Sequence, residues 1–258
     1  MKKIATLILV VFIVGLSCHE ASTSSQLNAE SLAELSGAYH FFMMLSPAAD
    51  GSPRYLYADY AAHLHAWVVK KGRSELLWET ASLGSPVTSL VVGDFENNGN
   101  EEIMVSTARG RIIVYDAVSF ERLHENFLEP FRTIDCLTAA NVDEDPQMEI
   151  IFVAENRLNI YDAVSAALEW RSQDTFQATE LGVADLDDDP QLEIVLNTGT
   201  IIDSRFFNLE PYSRKGGQTF GRRLKFMDMN GDGHPEIFGE EPGFALKIYD
   251  AYAQREVW

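Results

Sequence analysis

The sequence predicts an all-β protein, a β-propeller built of four-stranded blades, and three observations carry that expectation. An acidic segment, VGDFENNGNEEI at Val92 to Ile103, returns as NVDEDPQMEI (Asn141 to Ile150), DLDDDPQLEI (Asp185 to Ile194) and DMNGDGHPEI (Asp228 to Ile237), with loop starts 47, 44 and 43 residues apart. A repeat of that length marks stacked supersecondary units. Each copy is bracketed by short runs rich in β-branched residues, such as TSLVV and IMVST around the first and TIDCLTAA and IIFVA around the second, which read as strands. A second mark, IVYDA, NIYDA, IIDS and KIYDA, follows each loop, its Asp lying 22, 21, 18 and 22 residues after the loop start. Room for four short strands per unit is the size of a propeller blade.

The repeated segment has the composition of a cation loop. Oxygen-bearing side chains stand at positions 1, 3 and 5, Gly or Pro follows at 6, an acid stands at 9, and an Ile opens the next apolar run. A hard divalent cation takes six or more oxygens at about 2.3–2.6 Å, and a tight loop with alternate residues turned inward supplies them from one segment. The EF-hand opens the same way but needs a bidentate Glu at position 12 and helices on both sides. Here position 12 is Val105, Phe152, Leu196 and Gly239, and strands flank the loops, so the EF-hand is rejected.

On these residues the sequence resembles the FG-GAP or VCBS repeat family, the calcium-loop propellers also found in integrin α-subunits. The shared element is the DxDxDGxxE loop with its following Ile, and it recurs across residues 87–258. The resemblance implies up to four calcium sites, at 94–102, 141–149, 185–193 and 228–236. Its ligands would be Asp94, Glu96, Asn98, Asn100 and Glu102 in the first loop, and Asn141, Asp143, Asp145, Gln147 and Glu149 in the second. In the third they would be Asp185, Asp187, Asp189, Gln191 and Glu193, and in the fourth Asp228, Asn230, Asp232, His234 and Glu236, position 7 contributing its carbonyl each time. The third loop has the most carboxylates, while Gly233 lets the fourth turn through φ values that Pro146 and Pro190 forbid in the second and third. The third and fourth are therefore expected to bind most tightly.

Taken in order, the chain opens with Lys2, Lys3 and an apolar run from Ile4 to Leu16, too short to span a bilayer, which needs about 20 residues. Residues 1–17 read as a secretory signal. Cys18, after Gly15, Leu16 and Ser17, resembles a bacterial lipoprotein cleavage site whose new N-terminal Cys is acylated, with ordinary cleavage nearby as the alternative. Residues 18–36, rich in Ser, Ala and Glu, suit a polar tether, and the propeller is expected over 37–258. A first blade without a metal loop begins there, its SPAADGSPR segment keeping only Asp50 and Gly51 of the pattern. Blades are expected at 38–84, 87–130, 133–174, 177–215 and 220–258, as a whole ring or as part of a larger one.

The Tyr and Asp of the second mark recur in blade after blade. An active site occurs once, so the aromatic residues, together with Trp78, Trp170 and Trp258, are expected to pack between blades and each Asp to bond its own turn. Cys136, inside an apolar run, is expected to be a buried thiol. His63 and His65 share one side of a strand with no third ligand evident in the sequence, which points away from zinc. No nucleophile elbow, Walker loop or dinucleotide fingerprint is present. With 39 acidic against 20 basic residues and a net charge of −19, nucleic acid is a poor partner, and membrane contact is expected only through the lipid. These features describe an exported, lipid-anchored module of the outer membrane or cell surface, otherwise secreted or periplasmic, that binds a protein or glycan without catalysis. Two alternatives stand beside it: the propeller of a polysaccharide lyase, and an envelope assembly scaffold.

Overall fold

The computed structural model describes residues 41–143, 145–189, 191–214, 218–241 and 245–257. The signal segment, Cys18 and the tether lie outside the described residues, as do Pro190 and Trp258. The described chain is all β and forms a five-bladed β-propeller of antiparallel sheets. Blade one comprises β1 (Phe41–Leu45), β2 (Arg54–Ala58), β3 (Leu64–Lys70) and β4 (Arg73–Glu79). Blade two is β5 (Val87–Gly93), β6 (Glu102–Thr107), β7 (Ile112–Asp116) and β8 (Arg122–Glu125). Blade three is β9 (Ile134–Ala140), β10 (Glu149–Ala154), β11 (Arg157–Asp162) and β12 (Leu168–Arg171). Blade four has β13 (Leu181–Ala184), β14 (Glu193–Leu196) and β15 (Ile201–Asp203), and blade five has β16 (Arg222–Met227), β17 (Glu236–Glu241), β18 (Ala245–Asp250) and β19 (Arg255–Glu256).

Strand burial follows from where each strand sits. The second strand of a blade is covered by neighbours on both faces, so its sequence is a continuous apolar run and not an alternation. Accordingly β6, β10 and β14 are buried at every position, while the outer strands β4, β8 and β12 are largely exposed. Four hydrophobic clusters among the described residues lie between successive blades. The one between blades two and three joins Met104, Ile112 and Val114 to Ile134, Ile150 and Phe152. The next joins Ile151, Val153 and Ile160 to Ile194, Leu196 and Ile202. Cys136 is in that cluster, buried, with its thiol pushed up by burial.

The second repeating mark does what its recurrence suggests. Asp116 Oδ1 accepts from the backbone N–H groups of Val118 and Ser119, Asp203 Oδ1 from Arg205 and Phe206, and Asp250 Oδ1 from Ala253. Asp162 bonds Ser165 N–H in the same way. Four residues after each of these Asp, the chain turns through positive φ, at Phe120, Ala166, Phe207 and Gln254. Two of the four are aromatic, and each receives the Trp of the preceding blade: Trp78 stacks on Phe120 at 5.0 Å and Trp170 on Phe207 at 4.5 Å. Blade four departs from expectation. Its Asp follows the loop start sooner than in the other blades, and in place of an outer strand the described residues show a single bridge, Ile202 to Leu209.

Candidate metal centre

All four acidic loops connect the first and second strands of a blade, and the turn after the third strand lies at the same end. The two are tied by backbone bonds, Ala117 N–H to Glu101 O, Ala163 N–H to Met148 O and Ser204 N–H to Leu192 O. The acid at position 9 is in each case the first residue of the second strand, which explains its burial: Glu102, Glu149, Glu193 and Glu236 are exposed by 2%, 0%, 1% and 2%. Each accepts the N–H of the residue at position 2 through Oε2, from Phe95 at 2.9 Å, Val142 at 2.5 Å, Leu186 at 2.6 Å and Met229 at 2.7 Å. In the first three loops the side chain at position 2 turns into the core, with Phe95, Val142 and Leu186 buried, whereas Met229 of the fourth is exposed. One apolar residue thus fixes each of the first three, and the Glu closes all four.

The residue at position 6 sorts the loops into two kinds. Gly99 and Gly233 turn at φ 86° and 98°, and their N–H groups bond Asp94 Oδ2 at 2.7 Å and Asp228 Oδ2 at 3.0 Å. The first acid of those loops is held by the loop's own backbone. Proline has no N–H to offer. In the two proline loops the acids converge instead: ligand atoms of Asp143, Asp145 and Glu149 lie within 4.8 Å of one another, as do those of Asp185, Asp187 and Glu193. In the second loop Asn141 Nδ2 donates to Asp145 O, so its side-chain oxygen is the part left for a cation.

Electrostatic strain is largest in the same two loops. Burial, followed by Asp143 and other nearby acids, raises Glu149 from its ordinary 4.5 to about 7. Burial together with Asp187, Asp189 and Asp185 raises Glu193 to about 8, and burial raises Glu102 as well. Glu149 Oε1 is buried and has no hydrogen-bond partner. A buried carboxylate oxygen left unpaired is costly, and a cation removes the cost. The oxygen set therefore fits a hard divalent ion. Sequence reasoning missed two contributors here, Asp162 and Glu169, which with Glu149 form a further group within 4.8 Å. Asp162 stands opposite Glu149 in the β10–β11 register, and Glu169 is the extra residue of a bulge in β12.

Blade one differs in kind. The loop segment there carries an Asp50 bonded to Ser52 N–H and paired with Lys70 at 3.2 Å. Arg54, 6% exposed, opens the second strand where the other blades have Glu, and donates to Ser46 O at 2.6 Å and Ala117 O at 2.8 Å. At the opposite end of the same blade, Asp59 meets both His63 and His65, a third partner that the sequence reading did not supply.

No protein-family model matches the chain, and no curated protein matches it. Solved structures do. The chain is similar to BBS1N, crystallised in complex with ARL6DN and soaked with lead, with a TM-score of 0.61 and 15% identity over 86% of this chain and 69% of that one. A mercury-soaked crystal of the same complex gives 0.56, 14% identity, 84% and 64%. The computationally designed Ika8 protein gives 0.53, 15% identity, 80% and 57%. The chain thus spans 57–69% of the length of these neighbours, and the likeness is one of fold.

Proposed function

We propose that this chain is an exported, lipid-anchored, calcium-binding β-propeller that serves as a non-catalytic binding or adhesion module for a protein or glycan in the cell envelope. The observation that carries the cation reading is the buried Glu149, whose Oε1 is unpaired beside Asp143 and Asp145. Calcium would be held by the loop oxygens named above and would neutralise acids that otherwise repel one another. The non-catalytic reading rests on repetition, since the acids at loop positions 1, 3, 5 and 9 and the Tyr and Asp of the second mark have counterparts in other blades.

The surface for a partner is best sought at the end away from the acidic loops. There the seam of blades two and three forms a hollow of about 230 Å³ lined by Arg109, Arg111, Asn126, Glu129 and Phe131. Arg157 and Arg171 line a smaller one beside it. Arg111 and Arg171 already pair there with Glu125 and Glu129, so the hollows offer a polar, hydrogen-bonded wall beside the Phe131 ring, which suits a hydroxyl-rich ligand. BBS1N, a neighbour in fold, is seen with a protein partner, which lends support to a binding role for this architecture.

Thermal melting of the processed chain tests the cation reading. Ligand that binds only the folded state raises Tm, and a dissociation constant of about 10⁻⁶–10⁻³ M is expected for an exported module. Equal melts in millimolar calcium and in chelator would overturn it. The anchor is tested separately by Cys18→Ser, which is expected to leave the membrane fraction or to stay unprocessed; a fully processed variant still in the membrane would refute lipidation.

A further inference from the structure

We infer that blade one carries a transition-metal site of the zinc class, built from Asp59, His63 and His65, at the end of the propeller opposite the acidic loops. The site begins in a tight connection between β2 and β3. Asp59 N–H bonds His63 O at 3.0 Å, and Asp59 Oδ1 accepts His63 N–H at 2.8 Å. This fixes the carboxylate and aims Oδ2 away from the turn, toward both imidazoles: His63 Nδ1 lies 3.0 Å from it and His65 Nε2 3.2 Å. The three ligand atoms lie within 4.8 Å of one another. A tetrahedral zinc ion with ligands at about 2.0–2.1 Å separates its donors by about 3.3 Å. The two separations from Asp59 Oδ2, 3.0 and 3.2 Å, are already close to that edge, so insertion of the ion asks for little movement of the carboxylate against either ring.

A second observation points the same way. The other nitrogen of His65, Nδ1, lies 3.4 Å from Glu79 Oε2, and His65 and Glu79 are direct partners in the β3–β4 register. A ligating imidazole nearly always gives its second N–H to a carboxylate or carbonyl, which fixes tautomer and ring plane. Tyr57, opposite His65 on β2, stacks on its ring at 4.7 Å and holds the plane from the other side. In the metal-bound form each imidazole would ligate through an unprotonated nitrogen, His65 keeping a proton on the Nδ1 that faces Glu79. Imidazole nitrogens favour zinc over calcium, so this site and the all-oxygen loops would take different ions. The side chains of His63 and Asp59 are 29% and 30% exposed, which leaves the fourth position open to water or to an anionic group of a ligand.

The test is zinc titration of the tag-free chain by calorimetry with calcium in excess to fill the loops, followed by cobalt substitution read in the visible spectrum. One equivalent of zinc is expected, with the intense cobalt bands of a tetrahedral site. Asp59→Ala and His65→Ala should each weaken zinc by about 100-fold or more, and Glu79→Gln by about 10-fold, because Glu79 orients a ligand without being one. Glu79→Gln leaves the three ligands in place, so it keeps the inference testable if an alanine variant does not fold. Zinc affinity unchanged in folded His65→Ala, no binding by the parent chain at millimolar zinc, or cobalt spectra of an all-water ion would each overturn it.

Discussion

Glu149→Gln separates the charge of the position-9 acid from its shape. Gln keeps an oxygen for the Val142 N–H and places an amide where Oε1 now has no partner. Holding ionised a carboxyl whose value is about 7, against an ordinary 4.5, costs about 3 kcal/mol. Water at the rim of the loop trims this, and a domain of this size gains roughly 2–4 °C per kcal/mol, so a rise in Tm of about 5 °C is expected in calcium-free buffer at pH 8.5. The sign follows from linkage. Because the folded-state value lies above the unfolded one, protonated Glu149 supports the fold fully below about pH 4.5, and that support is lost as pH rises through about 7. At pH 5 the gap between the variant and the parent should therefore shrink to about a quarter of its size at pH 8.5. In millimolar calcium at pH 8.5 the order should reverse, since the variant has lost a charged ligand. Differential scanning calorimetry in chelator and in calcium at the two pH values reads all of this. A variant that melts below the parent by the same margin at pH 5 and pH 8.5 in chelator would show that the charge of Glu149 is immaterial and would refute the reasoning.

Two further outcomes follow from the geometry. Asp187→Ala is expected to diminish calcium-dependent stabilisation more than Glu96→Ala, because Asp187 converges with Asp185 and Glu193 whereas Glu96 turns toward Asn98 Nδ2 at 3.0 Å and His124 at 3.5 Å; matched calcium titrations giving the opposite order would contradict this. Trp170→Ala removes the ring stacked on Phe207 of the next blade and should cost about 2–4 kcal/mol in urea unfolding, with no change in calcium affinity, whereas a loss below about 0.5 kcal/mol would show that the stack is incidental.

What the sequence made legible was what repeats. Blade period, the loops between first and second strands, the Asp-bonded turns and the Trp contacts between blades each announce themselves several times, so a chance resemblance at one place is corrected at the next. What it concealed occurs once. Glu169 reaches its neighbours through a bulge, which shifts one residue out of register and has no periodic trace. Asp59 and His63 are brought together by a turn whose hydrogen bonds, not its spacing, aim the carboxylate. The short second and third strands of blade four, β14 and β15, reflect a shortened interval to its Asp, a signal that was visible in the sequence and outweighed by the regularity of the other blades. The division of the loops by Gly or Pro was legible as a limit on φ. Its larger effect, through the proline's missing N–H, appeared only when the partners of Asp94 and Asp228 were seen.

Arg54 has a consequence for how such a molecule comes apart. Its guanidinium occupies the start of the second strand, the place where four other blades put an acid, and it reaches the carbonyls of Ser46 and of Ala117 in the adjoining blade. A covalently attached positive charge cannot be chelated, diluted or exchanged. On the proposed calcium reading, removal of calcium from the loops would thus loosen blades two to five first, while the Arg54 bond to Ala117 at the seam of blades one and two stayed in place, giving unravelling a direction. Blade one would then be the last refuge of order and the natural seed from which the others are rebuilt.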